Sequence, residues 1–482
     1  MHKSTESKPL ASTPNCQVPT SKRILWGLGG VTDCMISNGL NGLIDQVYII
    51  GMALDPKWVG IARSVPRFLD IITDPLVGHF SDNTRSRWGR RKPWMLAGVM
   101  VAAITGVVMW YPPVSLGPIA VDFFIVLMLG LLFTVGLAFF TIPYNAMGYE
   151  MSTDTDERTH LFKYRLLFAT VVGFLTPWLA RLCLEIEGDK AAILKGVQGV
   201  HWISWGVAGI ILLTGLIPIL FCKDIAHNES ENKVSFFAAV KLTLRNRAFW
   251  PIIAGNFLMR FGMSVTGIFF YYLFIYKIGG SMKAGATEWG WFVTAITVAT
   301  LAGTPAMAWL SQRIGKKTAV IGLMAASALA YASVAWTFRT ELAGTKLYLL
   351  TGVAIGLFCN TMPMIINSML ADVCDVDELH SGHRREAFYS AVFVTCDKIA
   401  VATTLLLQGF LLQASGFDAK LDIQTPQTVT TWMHWLLLTQ PTGLMLGMLC
   451  LFFYPLNKVK LLNIRQQLDD RKPEQNRSNF QN

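Results

Sequence analysis

About a dozen apolar runs, each close to or above twenty residues, divide this 482-residue chain and leave room for little except membrane-crossing helices. A helix rises about 1.5 Å per residue, so some twenty residues cross about 30 Å of hydrocarbon. The runs fall at 24–50, 59–80, 94–112, 120–146, 161–184, 200–222, 248–278, 287–311, 319–338, 345–371, 388–414 and 431–456. In lipid every backbone polar group must be paired within the protein, which helices achieve by themselves. Only 15% of residues are charged, well below the roughly one quarter of a soluble domain. The expected fold class is an all-α membrane protein of twelve spans.

Charge sets the expected orientation. Segment 81–93 holds Arg85, Arg87, Arg90, Arg91 and Lys92 against Asp82 alone. Basic residues recur at 158–165, in 223–247 (Lys223, Lys233, Lys241, Arg245, Arg247), at Arg313, Lys316 and Lys317, and at Arg384 and Arg385. With twelve spans all of these lie on one side, while 112–120 and its like carry few bases. By the positive-inside rule both termini and the long middle loop face the cytoplasm, in a plasma or inner membrane. The net charge of +10 is thus read as topology, with the bilayer as partner and no nucleic acid. The divisions are a tail 1–23, a six-helix half 24–222, a loop 223–247, a second half 248–456 and a tail 457–482. The first 23 residues are polar and lack a signal-peptide pattern, so the first apolar run is expected to stay as a helix. Asn145–Glu150 is echoed by Asn367–Asp372, and acids follow both (Asp154, Asp156, Glu157; Asp375, Asp377, Glu378), which suggests duplicated halves.

The informative residues are the charges within spans. An ionisable group at mid-bilayer costs about 2.5–3.5 kcal/mol on insertion scales, so it needs a partner or a watery cavity. Arg63, Arg67, Asp70 and Asp74 follow at spacings of four, three and four, one stripe of one helix. Two carboxylates a turn apart can take sodium or a proton, with hydroxyls and main-chain carbonyls completing an oxygen shell. The competing reading is that they only neutralise Arg67 and Lys398. Asp33, followed by Asn38 and Asn41, lies in the first span; Arg165 begins the fifth, and Asp397 and Lys398 lie mid-way along the eleventh. Arg260 and Asp45, read as nearer the outer ends, are assigned structural roles.

Other patterns carry less. Asp372, Asp375, Asp377, Glu378, His380 and His383 look like metal ligands, but they are expected in a solvated cytoplasmic loop, their His-x-x-His is not a zinc-helix pair, and no metal site is expected. Gly315-Lys316-Lys317-Thr318 lacks the features of a phosphate loop. Eight scattered cysteines with no Cys-x-x-Cys read as buried hydrophobes. No nucleophile–base pair stands at catalytic spacing, so the chain is read as a transporter and not an enzyme. It is expected to need no cofactor, only a coupling ion, Na+ or H+.

The segment from Arg67 through Asp70, Asp74, Pro75 and Gly78, followed by Asp82-Asn-Thr-Arg85-Ser-Arg87-Trp88-Gly89-Arg90-Arg91-Lys92-Pro93-Trp94, closely resembles the glycoside–pentoside–hexuronide:cation symporters of the major facilitator superfamily. Ile142-Pro143-Tyr144, Arg165, the Ala371-Asp372 segment and Lys398 extend the likeness over most of the chain. The resemblance implies a twelve-helix major facilitator fold, two six-helix halves, and a sugar or glycoside coupled to sodium or proton. It assigns cation binding to Asp70 and Asp74, with Thr73 and Thr141 at family cation-site positions. Substrate contacts are assigned to Asp33, Asn38, Tyr144, Asn145, Arg165 and Lys398. Charge balance and gating fall to Arg67, Lys398, Arg85, Arg90 and Arg91. The sequence departs from the family at several places. The family's first-helix sugar acid aligns with Cys34, and Asp33 is expected about 100° away around the helix. Its fourth-helix acid aligns with Thr141, a tryptophan with Asn145, another with Pro363, and an asparagine with Thr73. These losses leave an alternative cargo, a lysolipid-like amphiphile carried by the same fold.

Overall fold

A computed structural model describes residues 19–151, 155–190, 193, 195–222, 246–381, 386–458, 460–464, 466 and 467. Residues 1–18, most of the 223–247 loop, and 468–482 lie outside the described residues. So do Asp154, His383, Arg384 and Arg385, and the side chains of Asp156 and His380.

The described chain is helical and forms twelve passes. They are α1 (residues 20–51), α2 (Pro56–Asn83), α3 (Lys92–Val108), α4 (Pro118–Glu150), α5 (His160–Lys190), α6 (Val197–Phe221), α7 (Phe249–Ile278), α8 (Met282–Ile314), α9 (Lys316–Thr337), α10 (Tyr348–Leu379), α11 (Phe388–Ala414) and α12 (Pro426–Phe452). Among the described residues nine of these are long and apolar enough to cross a membrane on composition alone. α3 is shorter, α2 carries its charged stripe, and α1 is broken into short helical pieces.

Local chemistry starts the helices where the sequence changes from polar to apolar. Asp55 caps α2 by accepting from the Lys57 amide at 2.9 Å, with Pro56 at the first helical position. Ser281 and Thr425 cap α8 and α12 the same way, at 3.2 Å each. Successive passes alternate in direction. One end of the bundle therefore carries the basic 84–91 loop and Gly315 (the basic end), and the other carries these caps (the far end).

Helix α2 shows how the sequence sorts its faces. Ile72, Leu76 and Phe80 are exposed on the outside of the bundle, while Asp70 is only 4% exposed. Turning the charged stripe inward avoids the insertion cost, and the apolar stripe meets lipid.

Five π-helical stretches widen the backbone, at Met35–Gly39, Asp45–Gly51, Leu131–Leu137, Phe274–Ile278 and Ile355–Cys359. They fall in α1, α4, α7 and α10, every third pass. The repeat extends to contacts. Arg91 Nη2 bonds Asp82 at 2.8 Å and Arg91 Nη1 bonds Glu150 at 2.6 Å, tying the α2–α3 junction to the end of α4. Lys316, at the α8–α9 junction, bonds Asp372 of α10 at 2.7 Å. The echo between Asn145–Glu150 and Asn367–Asp372 is therefore a repeated latch, one in each half, at the basic end. Asp372 is 1% exposed and lies with Asp375, Asp377 and Glu378 on the continuous helix Met362–Ser381. The expected loop is corrected to a helix: α10 runs on through these acids, and the buried Asp372 is paired with Lys316.

The halves touch each other at the far end. Tyr271 of α7 donates to Gln46 of α1 at 2.7 Å, with both side chains buried. Trp178 of α5 donates to Thr294 of α8 at 3.2 Å, and Lys283 pairs with Glu185 at 3.1 Å. Lys195 reaches Asp422 at 3.4 Å. Helices α2 and α11 cross at Gly60 and Gly409, where a Cβ on Gly409 would fall 2.3 Å from the Pro56 carbonyl oxygen.

Candidate functional site

Midway along the 28-residue α2, Asp70 meets Arg67 one turn earlier, at 3.4 Å. The Arg67 guanidinium lies over the Phe133 ring of α4, 4.5 Å from its centre, which fixes the arginine to the N-terminal half. The other Asp70 oxygen, Oδ1, is buried and has no hydrogen-bond partner among the described residues. A buried carboxylate oxygen left unpaired is costly, and a cation or proton would relieve it. One turn toward the basic end, Asp74 is held by Lys398 of α11, from the opposite half. Pro75 has no N–H to offer the Ile71 carbonyl, so the helix lacks one i to i+4 bond in the turn that carries the two acids. Two carboxylates a turn apart are oxygen ligands of the type sodium takes. Thr73 is beside them, its hydroxyl donated to the Leu69 carbonyl at 3.1 Å. Among the described residues no three His, Cys, Asp or Glu side chains converge as a metal cluster.

A second polar cluster joins α1, α4 and α5. Asp33 Oδ2 accepts from Arg165 at 2.9 Å, and its Oδ1 accepts from Thr141 at 2.7 Å. Arg165 also donates to Asn145 at 2.5 Å, and its guanidinium lies 5.4 Å from the centre of the Tyr144 ring. Asp33 thus faces α4 and α5. Its neighbour Cys34 is buried, with Asn38 Nδ2 donating to its sulfur at 3.6 Å. Asp33 and Cys34 are neighbours on the continuous α-helical piece Gly29–Cys34, so their side chains leave the helix in different directions, and it is Asp33 that reaches Arg165 and Thr141.

The remaining assigned residues distribute as follows. Thr141, grouped by alignment with the cation pair, spends its proton on Asp33. Tyr144 is fully buried, its hydroxyl donated to the Trp26 carbonyl at 2.8 Å, so it supports Arg165 through its ring. Asn38 is exposed. Arg90 pairs with Glu150 at 3.1 Å and works with Arg91 in the basic-end latch, whereas Arg85 is exposed in the loop. Asp45 pairs with Arg63 at 2.7 Å near the far end. Arg260 is not near an outer end: it lies mid-depth on α7 and bonds Asp397 at 2.9 Å. This pair went unread because two opposite charges on helices far apart in sequence give no shared periodicity to detect.

Residues 25–458 match the family described as MFS/sugar transport protein. The sodium-dependent lysophosphatidylcholine symporter 1 of Gallus gallus is 24% identical, over 96% of this chain and 94% of that protein. The lactose permease of Lactobacillus helveticus is 25% identical, over 73% of this chain and 54% of that protein. In fold, the chain superposes on the crystal structure of a bacterial homolog of the human lysosomal transporter Spinster with a TM-score of 0.64. That match has 15% identity and covers 94% of this chain and 99% of that one.

Proposed function

The chain belongs to the MFS/sugar transport protein family, and from that premise we propose that it is a cation-coupled symporter of a sugar or glycoside working by alternating access. One observation carries the reading. Among the described residues, of two acids stacked on α2, one has a buried oxygen with no hydrogen-bond partner and the other is paired with a lysine from the opposite half.

Charge arithmetic gives the cycle. With Arg67 on Asp70 and Lys398 on Asp74, the empty site is neutral and can cross between states. A sodium ion or proton entering between the acids competes with Lys398 for Asp74. Substrate at the Asp33–Arg165–Asn145 cluster then completes the polar contacts, and the halves rock about the site. The positive-inside rule puts the basic end in the cytoplasm. On that orientation this conformer is sealed outside by Gln46–Tyr271, Trp178–Thr294 and the Gly60–Gly409 crossing.

The test is uptake into proteoliposomes of a labelled glycoside panel, with sodium and pH gradients imposed separately. Accumulation driven by either gradient supports the reading; uptake indifferent to both would remove it. A second reading is transport of a lysolipid-like amphiphile, favoured by the relative named for lysophosphatidylcholine. Labelled lysophosphatidylcholine in the same vesicles separates the two.

A further inference from the structure

The pair formed by Arg260 of α7 and Asp397 of α11 answers the pair formed by Asp33 of α1 and Arg165 of α5. In each half the first and fifth passes contribute one charge apiece, and the signs are exchanged between halves. Arg260 Nε meets Asp397 Oδ1 at 2.9 Å, and Asn256 donates to the same oxygen at 3.2 Å. In the N-terminal half, Arg165 meets Asp33 at 2.9 Å and Asn145 at 2.5 Å. Each half therefore presents an aspartate, an arginine and an asparagine. Asp33, Arg260 and Asp397 sit roughly nine to thirteen positions from the basic end of their helices, ~14–20 Å deep at 1.5 Å per residue, and Arg165, nearer that end of α5, reaches in to Asp33.

Both pairs keep open surface. The Arg260 and Asp397 side chains are 35% and 28% exposed, against 21% and 23% for Arg165 and Asp33. Lys398, next in sequence to Asp397, crosses to Asp74 of the other half, so this stretch of α11 lines the gap between halves. A bridge kept only to neutralise two charges in a membrane protein gains by full burial, away from competing water. Among the described residues this one leaves guanidinium N–H donors unspent, and Asp397 Oδ2 holds acceptor capacity.

We propose that Arg260, Asp397 and Asn256 form a second substrate subsite, in the C-terminal half, for adjacent hydroxyls of the same neutral, polyhydroxylated ligand. A hydroxyl both donates and accepts, so neighbouring hydroxyls fit an aspartate acceptor beside an arginine donor. The pair is neutral overall, so it gives no net electrostatic attraction to a charged ligand. Recognition from both halves also ties the substrate to their closure, since both subsites are satisfied only when the halves approach. This inference rests on the sugar reading above and narrows it to a ligand that is polar at both ends.

The test measures binding of methyl and nitrophenyl glycosides to the purified protein by calorimetry, for the wild type and for Arg260→Gln, Asp397→Asn, Arg165→Gln and the swap Arg260→Asp/Asp397→Arg. The expected result is at least a tenfold loss of glycoside affinity in each single variant. The swap, which restores an ion pair but moves donor and acceptor, is expected to stay weak. A bridge that merely holds α7 to α11 predicts the opposite: recovery in the swap. Glycoside affinity unchanged in Arg260→Gln and Asp397→Asn but lost in Arg165→Gln overturns the second subsite and leaves the sugar reading standing. A wild type that binds none of the glycosides overturns both.

Discussion

On the symport proposed above, the coupling step at Asp70 and Asp74 reduces to one unit of charge. Removing either carboxylate leaves a fixed positive charge, Arg67 or Lys398, where a cation would bind, and like charges at such range in a low-dielectric site repel by several kcal/mol. Asp70→Asn and Asp74→Asn are each expected to abolish gradient-driven accumulation, by at least tenfold in vesicles, while glycoside binding persists. Normal cation-dependent uptake by the double variant would remove this site. Lys398→Gln has a different expected signature. Without the lysine, Asp74 holds its cation more firmly, but the cation-free carrier must return with an unbalanced carboxylate, which is costly in the bilayer. Exchange of labelled for unlabelled substrate should survive while net accumulation is lost, and a counterflow assay beside an uptake assay reads both. The two acids and Lys398 were legible in the sequence because charge in an apolar run stands out whatever surrounds it. The pairing of Asp33 with Thr141 and Arg165 was not, because contacts between helices distant in sequence leave no mark on the periodicity of either.

For the helices, the crossing of α2 and α11 depends on a missing side chain. Gly60 and Gly409 let the backbones touch at the far end, and a Cβ on Gly409 would lie 2.3 Å from the Pro56 carbonyl oxygen, far inside contact distance. Backbone cannot move aside as a flexible side chain does, so Gly409→Val is expected to hold the far end open. The measurement is the rate at which a membrane-impermeant thiol reagent, added on the far side, labels Asn38→Cys in a chain otherwise free of cysteine. Labelling should be at least fivefold faster with Gly409→Val, and Gly409→Ala should fall between. Equal rates would mean that the crossing does not control access. The twelve passes themselves could be read from apolar runs and alternating basic loops, with ends off by a few residues. Glycine at a helix crossing gives no such signal, since most of the chain's 40 glycines sit in similarly apolar surroundings. The helical extent of Asp372–Glu378 was hidden for the opposite reason: a dense acidic stretch reads as solvated until Lys316 is seen against Asp372.

Across the whole molecule, the proposed cycle has two halves share one site, so each ligand's effect must pass through their closure. The latches Arg91–Glu150 and Lys316–Asp372 stay within their own halves, while the Asp74–Lys398 pair joins one half to the other. Sequence records repetition between the halves but not the placement of one half against the other, which is why the sealed end had to be read from Gln46–Tyr271 and the Gly60–Gly409 crossing. If cation and substrate favour the same closed arrangement, thermodynamic linkage fixes the numbers on both sides. Whatever factor the cation adds to substrate affinity, the substrate must add to cation affinity, and couplings of this kind run to about 5–150-fold. Calorimetric titration of each ligand with and without the other is expected to return two equal factors above unity. Asp70→Asn/Asp74→Asn should bring both factors to unity without removing substrate binding, because the Asp33–Arg165–Asn145 cluster is untouched. Independent binding of cation and substrate in the wild type would leave the shared closure with no free energy behind it, and symport by this site would have no thermodynamic basis.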